Sequence, residues 1–314
     1  MLLGYVSLRV GSSRPARGSL SHTLLSTPGP VHAGPSPCRR LGAPATHGRA
    51  REGPWTTPQN PRARSRASGA GSAPAARPSE APDAHSAERN RLLRGLPAEA
   101  YAGLLPHLEA VEIRAGQVLW QPDGPLHAVY FPRTVVCSVL TPLKDEMPVE
   151  SATIGFEGMV GVPVVLGAPT THSQAIGQIA GAAARVDAAR FRDWLAQADG
   201  ALTLLLRYAQ VLLEQTAQSV ACNRKHAMEE RCARWLLATR DRCGADHFML
   251  THEFLAAMLG VRRASVTVAA GMLQQAGLIT YRRGRVTILD GERLEDASCE
   301  CYRVVSAQHE RLLG

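Results

Sequence analysis

The stretch 251–275, THEFLAAMLGVRRASVTVAAGMLQQ, constrains this chain more than any other. Thr251 is a good N-cap, and Phe254, Leu255, Met258 and Leu259 recur on one face at helical spacing. Gly260 offers the backbone freedom of a sharp turn, and Val261 is placed to anchor that turn inward. A second helix then buries Val266, Ala269 and Leu273 and turns Arg262, Arg263, Ser265 and Thr267 outward. Such a pair can be an ordinary helical hairpin with a solvated basic edge. It can also offer guanidinium and hydroxyl groups to phosphates and base edges in a major groove, with Thr251 and His252 beside them.

Charge favours the second reading, but only after the chain is divided. The 314 residues carry a net charge of +8 and a pI near 9.4. All of that surplus sits in residues 1–84, where eleven arginines face three acidic residues. Within the remainder, 224–288 holds eleven Lys or Arg against five Asp or Glu, while the flanking segments are acidic. Basic charge in the folded part is therefore concentrated around the helical pair, as an electrostatic footprint for DNA requires. The length leaves room for two domains, and no apolar run approaches the roughly 20 residues of a membrane span.

The seven cysteines are Cys38, Cys137, Cys222, Cys232, Cys243, Cys299 and Cys301, an odd number with no CxxC pair. That argues against a disulfide framework and fits a reducing cytoplasm. Cys299-x-Cys301 is the one close pair, and no partners stand at zinc or iron–sulfur spacing around it. The expectation is two small, half-buried residues on a C-terminal helix and no metal.

Residues 1–84 are rich in Pro, Gly, Ser, Ala and Arg, too poor in apolar side chains to offset their ordering entropy, and are expected to be disordered. Their Arg- and Ser-rich, acid-poor composition also matches an organelle transit peptide, or an upstream extension from a misassigned start. Two short helices are expected over 91–96 and 97–108, the second opened by Pro97. Short strands follow over 111–114, 118–120, 128–131, 135–140, 149–154, 173–179 and 182–186, which argues for a small antiparallel barrel or jelly roll. After a short helix over 188–195, a long one is expected over 200–223. Leu202, Leu206, Ala209, Leu213, Thr216 and Val220 form a heptad seam along it, suited to a parallel dimer contact or to packing within one chain. A further helix spans 227–242. Beyond the opening motif, strands over 278–281 and 286–289 enclose Arg282-Arg283-Gly284-Arg285, a wing tip with Arg282, Arg283 and Arg285 suited to phosphate contact.

A strand-rich domain, a long heptad helix and a winged helix-turn-helix, in that order, resemble the Crp/Fnr family of bacterial transcription regulators. Val129-Tyr-Phe-Pro132 and Gly155-Phe-Glu-Gly-Met-Val-Gly161 look like segments of that family's cyclic-nucleotide-binding-type barrel, and Gly260 and Arg263 look like its DNA-reading turn and helix start. The resemblance covers residues 88–305. It implies an α+β chain with a jelly-roll sensor domain at 85–198, a dimerisation helix at 199–223, a winged helix-turn-helix domain at 224–292 and a helical tail at 293–314. It implies a homodimer on palindromic double-stranded DNA, RNA polymerase as a partner, a cytoplasmic location and no membrane, and it favours the upstream-extension reading of residues 1–84. An effector pocket would lie at Gly155, Glu157, Gly158, Thr171 and Ser173.

The departures from the pattern narrow this. Relatives that bind cyclic AMP neutralise its phosphate with an arginine, and Thr171 stands at that position with no arginine between Arg133 and Arg185. A buried phosphate would lack its guanidinium partner, so cyclic nucleotide is not an expected cofactor. Only Cys38 lies in the N-terminal segment, so the iron–sulfur centre of the family's oxygen sensors is not expected either. Ala264 replaces the base-reading glutamate of many relatives, so the operator sequence does not carry over. No Ser-His-Asp set, carboxylate pair or phosphate-cradling glycine loop points to catalysis. Two other readings remain: a module acting through protein partners, and a cupin-type metal enzyme. Dispersed His107, His127 and His172 count against the last.

Overall fold

The computed structural model describes residues 88–144 and 146–313. The expectations for residues 1–84 lie outside the described residues. Asn90 caps α1 (Arg91–Arg94), and Pro97 opens α2 (Ala98–Leu104), which tightens into a 3-10 turn at Leu105–His107. Seven strands follow: β1 (Glu109–Ile113), β2 (Val118–Trp120), β3 (Ala128–Pro132), β4 (Val136–Leu143), β5 (Glu146–Ile154), β6 (Gln174–Ile179) and β7 (Gly181–Asp187). A short helix α3 (Val162–Val165) interrupts them after Gly161, a break the sequence pattern did not reveal.

The strands form two antiparallel sheets, ordered β1-β7-β3 and β2-β6-β4-β5. Register follows the alternation of apolar residues: Val129 faces Val186 and Phe131 faces Ala184 across one sheet, and Val139 faces Ala152 across the other. Ile113, Val129, Phe131, Cys137, Ile154 and Val186 fill the core with Leu92, Leu93 and Leu104. The architecture is the expected α+β jelly roll followed by helices.

Asp187 caps α4 (Ala188–Leu195), its carboxylate accepting from the Ala189 and Arg190 amides. Then comes α5 (Ala201–Lys225), two residues longer at its C-terminal end than the sequence predicted. Leu205, Tyr208, Ala209 and Val211 are buried against the barrel side. Tyr208 lies so close over Gly158 that a Cβ there would strike its ring, and its hydroxyl donates to the Met159 carbonyl at 3.2 Å. The heptad seam divides. Leu202, Leu206, Leu213 and Val220 stay open at 43, 45, 66 and 66 % exposure. Ala209 is buried in the chain's own core, and Thr216 is half-buried with its hydroxyl turned back to the Leu212 carbonyl at 2.9 Å. Small Ala209 and polar Thr216 thus serve the helix's inner contact, not the outer stripe assigned to them.

The C-terminal unit contains α6 (Met228–Cys243), β8 (His247–Met249), α7 (His252–Leu259), α8 (Arg263–Gln275), β9 (Ile279–Arg282), β10 (Arg285–Ile288), α9 (Gly291–Asp296) and α10 (Cys301–Leu313). Its sheet runs β8-β10-β9. Trp235, Leu236, Leu255, Leu259, Val266 and Leu273 share a second core with Leu140 and Ile176 from the barrel. Polar links reinforce this seat: Trp235 Nε1 donates to Glu150 at 2.9 Å, Gln178 Nε2 to Thr239 at 3.1 Å, and Arg242 Nε to Glu157 at 2.8 Å. Arg231 ties three helices together, donating to Asn223 Oδ1 at 2.9 Å and to the Leu259 carbonyl at 2.6 Å.

The segment expected as a helical tail is helical and packs back on the chain. The helix α10 packs along α5, with Cys301 and His309 buried. Cys299 lies in the turn before α10 and Cys301 opens it, and both are buried rather than half-buried. They meet Cys222 and His226 at the end of α5. The partners missing at sequence spacing are supplied by the fold. Among the described residues, no single helix is long and apolar enough to cross a membrane.

Candidate nucleic-acid interface

Thr251 caps α7 as its sequence position suggests, its Oγ1 accepting from the Phe254 amide at 3.1 Å. Gly260 ends that helix at φ +63°, a left-handed conformation that costs glycine little, and a Cβ there would press on Val149 of β5 at 3.3 Å. The chain bends by 106° between α7 and α8, within the usual range for a helix-turn-helix. Arg262 occupies the N-cap of α8 without a side-chain hydrogen bond, so the first amides of this helix have no side-chain cap and favour an anion.

Burial on α8 follows the expected pattern. Val266, Ala269 and Leu273 are inside, and Arg262, Arg263, Ser265 and Thr267 are outside. Arg263 reaches back to Glu253 at 2.8 Å, with both side chains more than half exposed. A surface pair of this kind is worth at most about 1 kcal/mol and yields readily to a stronger acceptor. The Thr267 hydroxyl donates to the Arg263 carbonyl at 3.1 Å and lies 3.0 Å from His252 Nδ1, so that nitrogen carries the proton. His252 also stacks against Tyr281, with ring centroids 4.3 Å apart, and is only partly exposed. Burial, with Arg263 nearby, pushes its pKa down, which keeps it neutral. His252 thus also braces α8 against the wing. Val268, 63 % exposed on the outer face of α8, was not among the expected contacts. An apolar side chain beside arginines suits a thymine methyl, and its spacing two residues after Val266 marks it as outward.

The wing is a two-residue hairpin. Arg283 at φ +50° and Gly284 at φ +76° make the left-handed pair that such a turn requires. Arg282 and Arg285 stand directly opposite each other in the β9–β10 register, with Arg283 at the tip, and all three are exposed. Like charges facing across a strand pair are unfavourable on their own. Among the described residues, no acidic side chain forms an ion pair with Arg262, Arg282, Arg283 or Arg285. The guanidinium groups of Arg262 and of the wing are thus exposed without intramolecular neutralisation, and that of Arg263 has only an exposed carboxylate, a surface suited to a polyanion.

Residues 230–297 match the model of the Crp-like helix-turn-helix domain. FixK2 from Bradyrhizobium japonicum has a similar structure, with a TM-score of 0.53 at 16% identity, covering 61% of this chain and 98% of its own. TTHB099, a CRP-family transcriptional regulator from Thermus thermophilus, gives 0.51 at 18% identity, covering 60% and 96%. The c-di-GMP responsive global regulator CLP of Xanthomonas campestris gives 0.50 at 15% identity, covering 61% and 99%. No curated protein sequence matches the chain. Residues 230–297 are thus a Crp-like helix-turn-helix domain, and the fold is shared with solved regulators of the CRP family.

The expected effector residues do not assemble into one pocket. Glu157 is buried: its Oε1 accepts from Arg242 Nε at 2.8 Å and from the Gly155 amide at 3.0 Å, while its Oε2 has no hydrogen-bond partner among the described residues. A Cβ at Gly155 would collide with Arg242, so that glycine admits the arginine of α6 rather than a ligand. Gly158 is filled by Tyr208. Thr171 and Ser173 instead bond each other at 3.0 Å, at the turn where the Thr171 carbonyl accepts from the Asp123 amide. His172, on that turn, pairs with Asp123 at 3.2 Å with both groups exposed, as a solvated turn histidine should. A cavity of about 310 Å³ does lie at Glu157, but it opens between β5, α5, α6 and α10 and is lined by Glu150, Trp235, Arg242 and His309.

Proposed function

We propose that this Crp/Fnr-type chain is a homodimeric, sequence-specific DNA-binding regulator that reads a two-fold operator. The observation that carries the reading is the set of exposed guanidinium groups at the start of α8 and on the wing, supported on a 106° helix-turn-helix. In this reading Arg263 exchanges Glu253 for the O6 and N7 acceptors of a guanine. Arg262, Ser265 and the uncapped α8 amides hold phosphates beside it, and Arg282, Arg283 and Arg285 grip the flanking backbone. Thr251, exposed at the start of α7, takes a further phosphate.

Dimerisation follows from the open stripe Leu202, Leu206, Leu213 and Val220, which a second copy would cover in parallel, placing two recognition helices on successive major grooves. The cytoplasm is the setting, and RNA polymerase the partner, that such a regulator requires. A signal arriving at the barrel would pass through the shared core and the Glu157–Arg242 pair. Cyclic nucleotide is not the signal in this reading, because Thr171 supplies no charge to a phosphate.

Selection of binding sites from random duplex DNA by the full-length protein tests the proposal. A palindromic consensus with half-sites one helical turn apart is the expected result. Retention of unselected DNA without enrichment would sink the sequence-specific reading.

A further inference from the structure

The junction between α5 and α10 gathers four side chains that the DNA-reading surface does not use. Cys222 lies in the last turn of α5, and His226, its C-cap, follows four residues later on the same side. Cys299 and Cys301 arrive from the other end of the winged unit. Their three Sγ atoms and one imidazole nitrogen lie within 4.8 Å of one another. Cys222 Sγ is 3.5 Å from Cys299 Sγ, and Cys301 Sγ is 3.4 Å from His226 Nδ1.

Those distances match a known polyhedron. A tetrahedral zinc, with Zn–S of about 2.3 Å and Zn–N of about 2.0 Å, separates its ligand atoms by about 3.5–3.8 Å. The set needs to contract by only about 1 Å at its widest edge to close on one ion. An iron–sulfur cluster, with several metals and bridging sulfides inside its thiolate cage, would hold the sulfurs farther apart. We propose that Cys222, His226, Cys299 and Cys301 form a structural site for a single zinc ion that fastens α10 to the end of α5.

The surroundings support a built site. The three cysteines are buried and constitute a small core of their own, which three sulfur atoms would hold poorly by packing alone. His226 Nε2 lies 3.2 Å from the Glu300 carboxylate. That carboxylate accepts a hydrogen bond from the Nε2 proton and leaves the Nδ1 lone pair facing the sulfurs, the usual outer-shell arrangement for a zinc-bound histidine. Gln218 Nε2 donates to Cys301 Sγ at 3.0 Å. The ion would displace the thiol protons to solvent as it binds. Four protein ligands and no open position specify a structural ion rather than a catalytic one. Nothing in this inference rests on the DNA-reading proposal.

The full-length protein, reduced and stripped of metal, is titrated with Zn²⁺, and bound metal is measured by mass spectrometry alongside thiol reactivity. One zinc per chain is expected, with three thiols protected, and Co²⁺ in its place should show thiolate-to-cobalt charge-transfer absorption. Cys299→Ser should abolish stoichiometric binding. Glu300→Gln keeps all four ligands and the fold, and should weaken zinc affinity about 10–100-fold. Absence of stoichiometric zinc in the reduced wild-type chain would overturn the proposal, as would undiminished affinity in both variants. So would a Cys222–Cys299 disulfide that persists under reduction and excludes the ion.

Discussion

In the proposed reading, single side chains separate sequence reading from phosphate holding. Arg263 is paired only with an exposed glutamate, so its alternatives are cheap, whereas Arg283 stands alone at the wing tip. Arg263→Ala should cost about 1–3 kcal/mol on the selected operator and relax preference at one base pair. Arg283→Ala should weaken binding to all duplexes alike and lower the salt slope by about one, as read from fluorescence anisotropy across a salt series. Equal losses on specific and random DNA for both variants would remove the base-reading role of Arg263. His309 carries a different kind of information. Burial, followed by the charge of Arg242, pushes its pKa down to about 4, with Glu157, Arg91 and Glu310 as further neighbours. The folded chain keeps it neutral, while the unfolded chain protonates it below about 6.5. Stability is therefore full above that value, falls as pH drops from about 6.5 to 4, and loses nothing more below. Urea unfolding at pH 7 and pH 5 should differ by about 2 kcal/mol more in the wild type than in His309→Gln.

At the scale of elements, α5 has two jobs on two faces. Its inner face is core, so Leu205→Ala should cost about 2–5 kcal/mol of stability. Its outer stripe is open, so Leu206→Lys with Leu213→Lys should leave the monomer fold intact and abolish self-association in sedimentation velocity. Unchanged association would move the dimer contact elsewhere. The seam also shows why a heptad pattern is an incomplete guide. Leu202, Leu206, Leu213 and Val220 share it with Ala209 and Thr216, yet only the leucines and the valine point away from the barrel. Periodicity specifies a face to within a residue or two, and packing decides which edge of that face is covered. The elements most legible in sequence were α7 and α8, because the Thr251 cap, the Gly260 turn and the burial pattern are all local. The short α3 was not, since its four residues carry no periodic signal.

The whole molecule depends on contacts between segments far apart in sequence, and these were the least visible. Nothing near Glu157 announces Arg242, which lies 85 residues on, yet their 2.8 Å pair seats the winged unit on the barrel. Glu157→Gln would strand a buried guanidinium and should destabilise the chain by about 3–5 kcal/mol, with Arg242→Met in the same chain recovering part of the loss. Denaturant titration of the three variants checks this, and an exposed, dispensable pair would show no such recovery. The cysteines teach the same lesson. Cys222 and His226 are four residues apart at a helix end, a spacing that could have flagged half a metal site. Its other half became visible only when α10 was seen to return along α5.

That return has a consequence for how the chain is made. Cys222 leaves the ribosome 77 residues before Cys299, and the entire DNA-reading unit is synthesised in between. The junction can therefore form only after the winged unit has been made, so that unit can fold against the barrel before α10 docks on α5. A translation-arrested chain ending before residue 299 should show Cys222 open to thiol reagents, and the released chain should not.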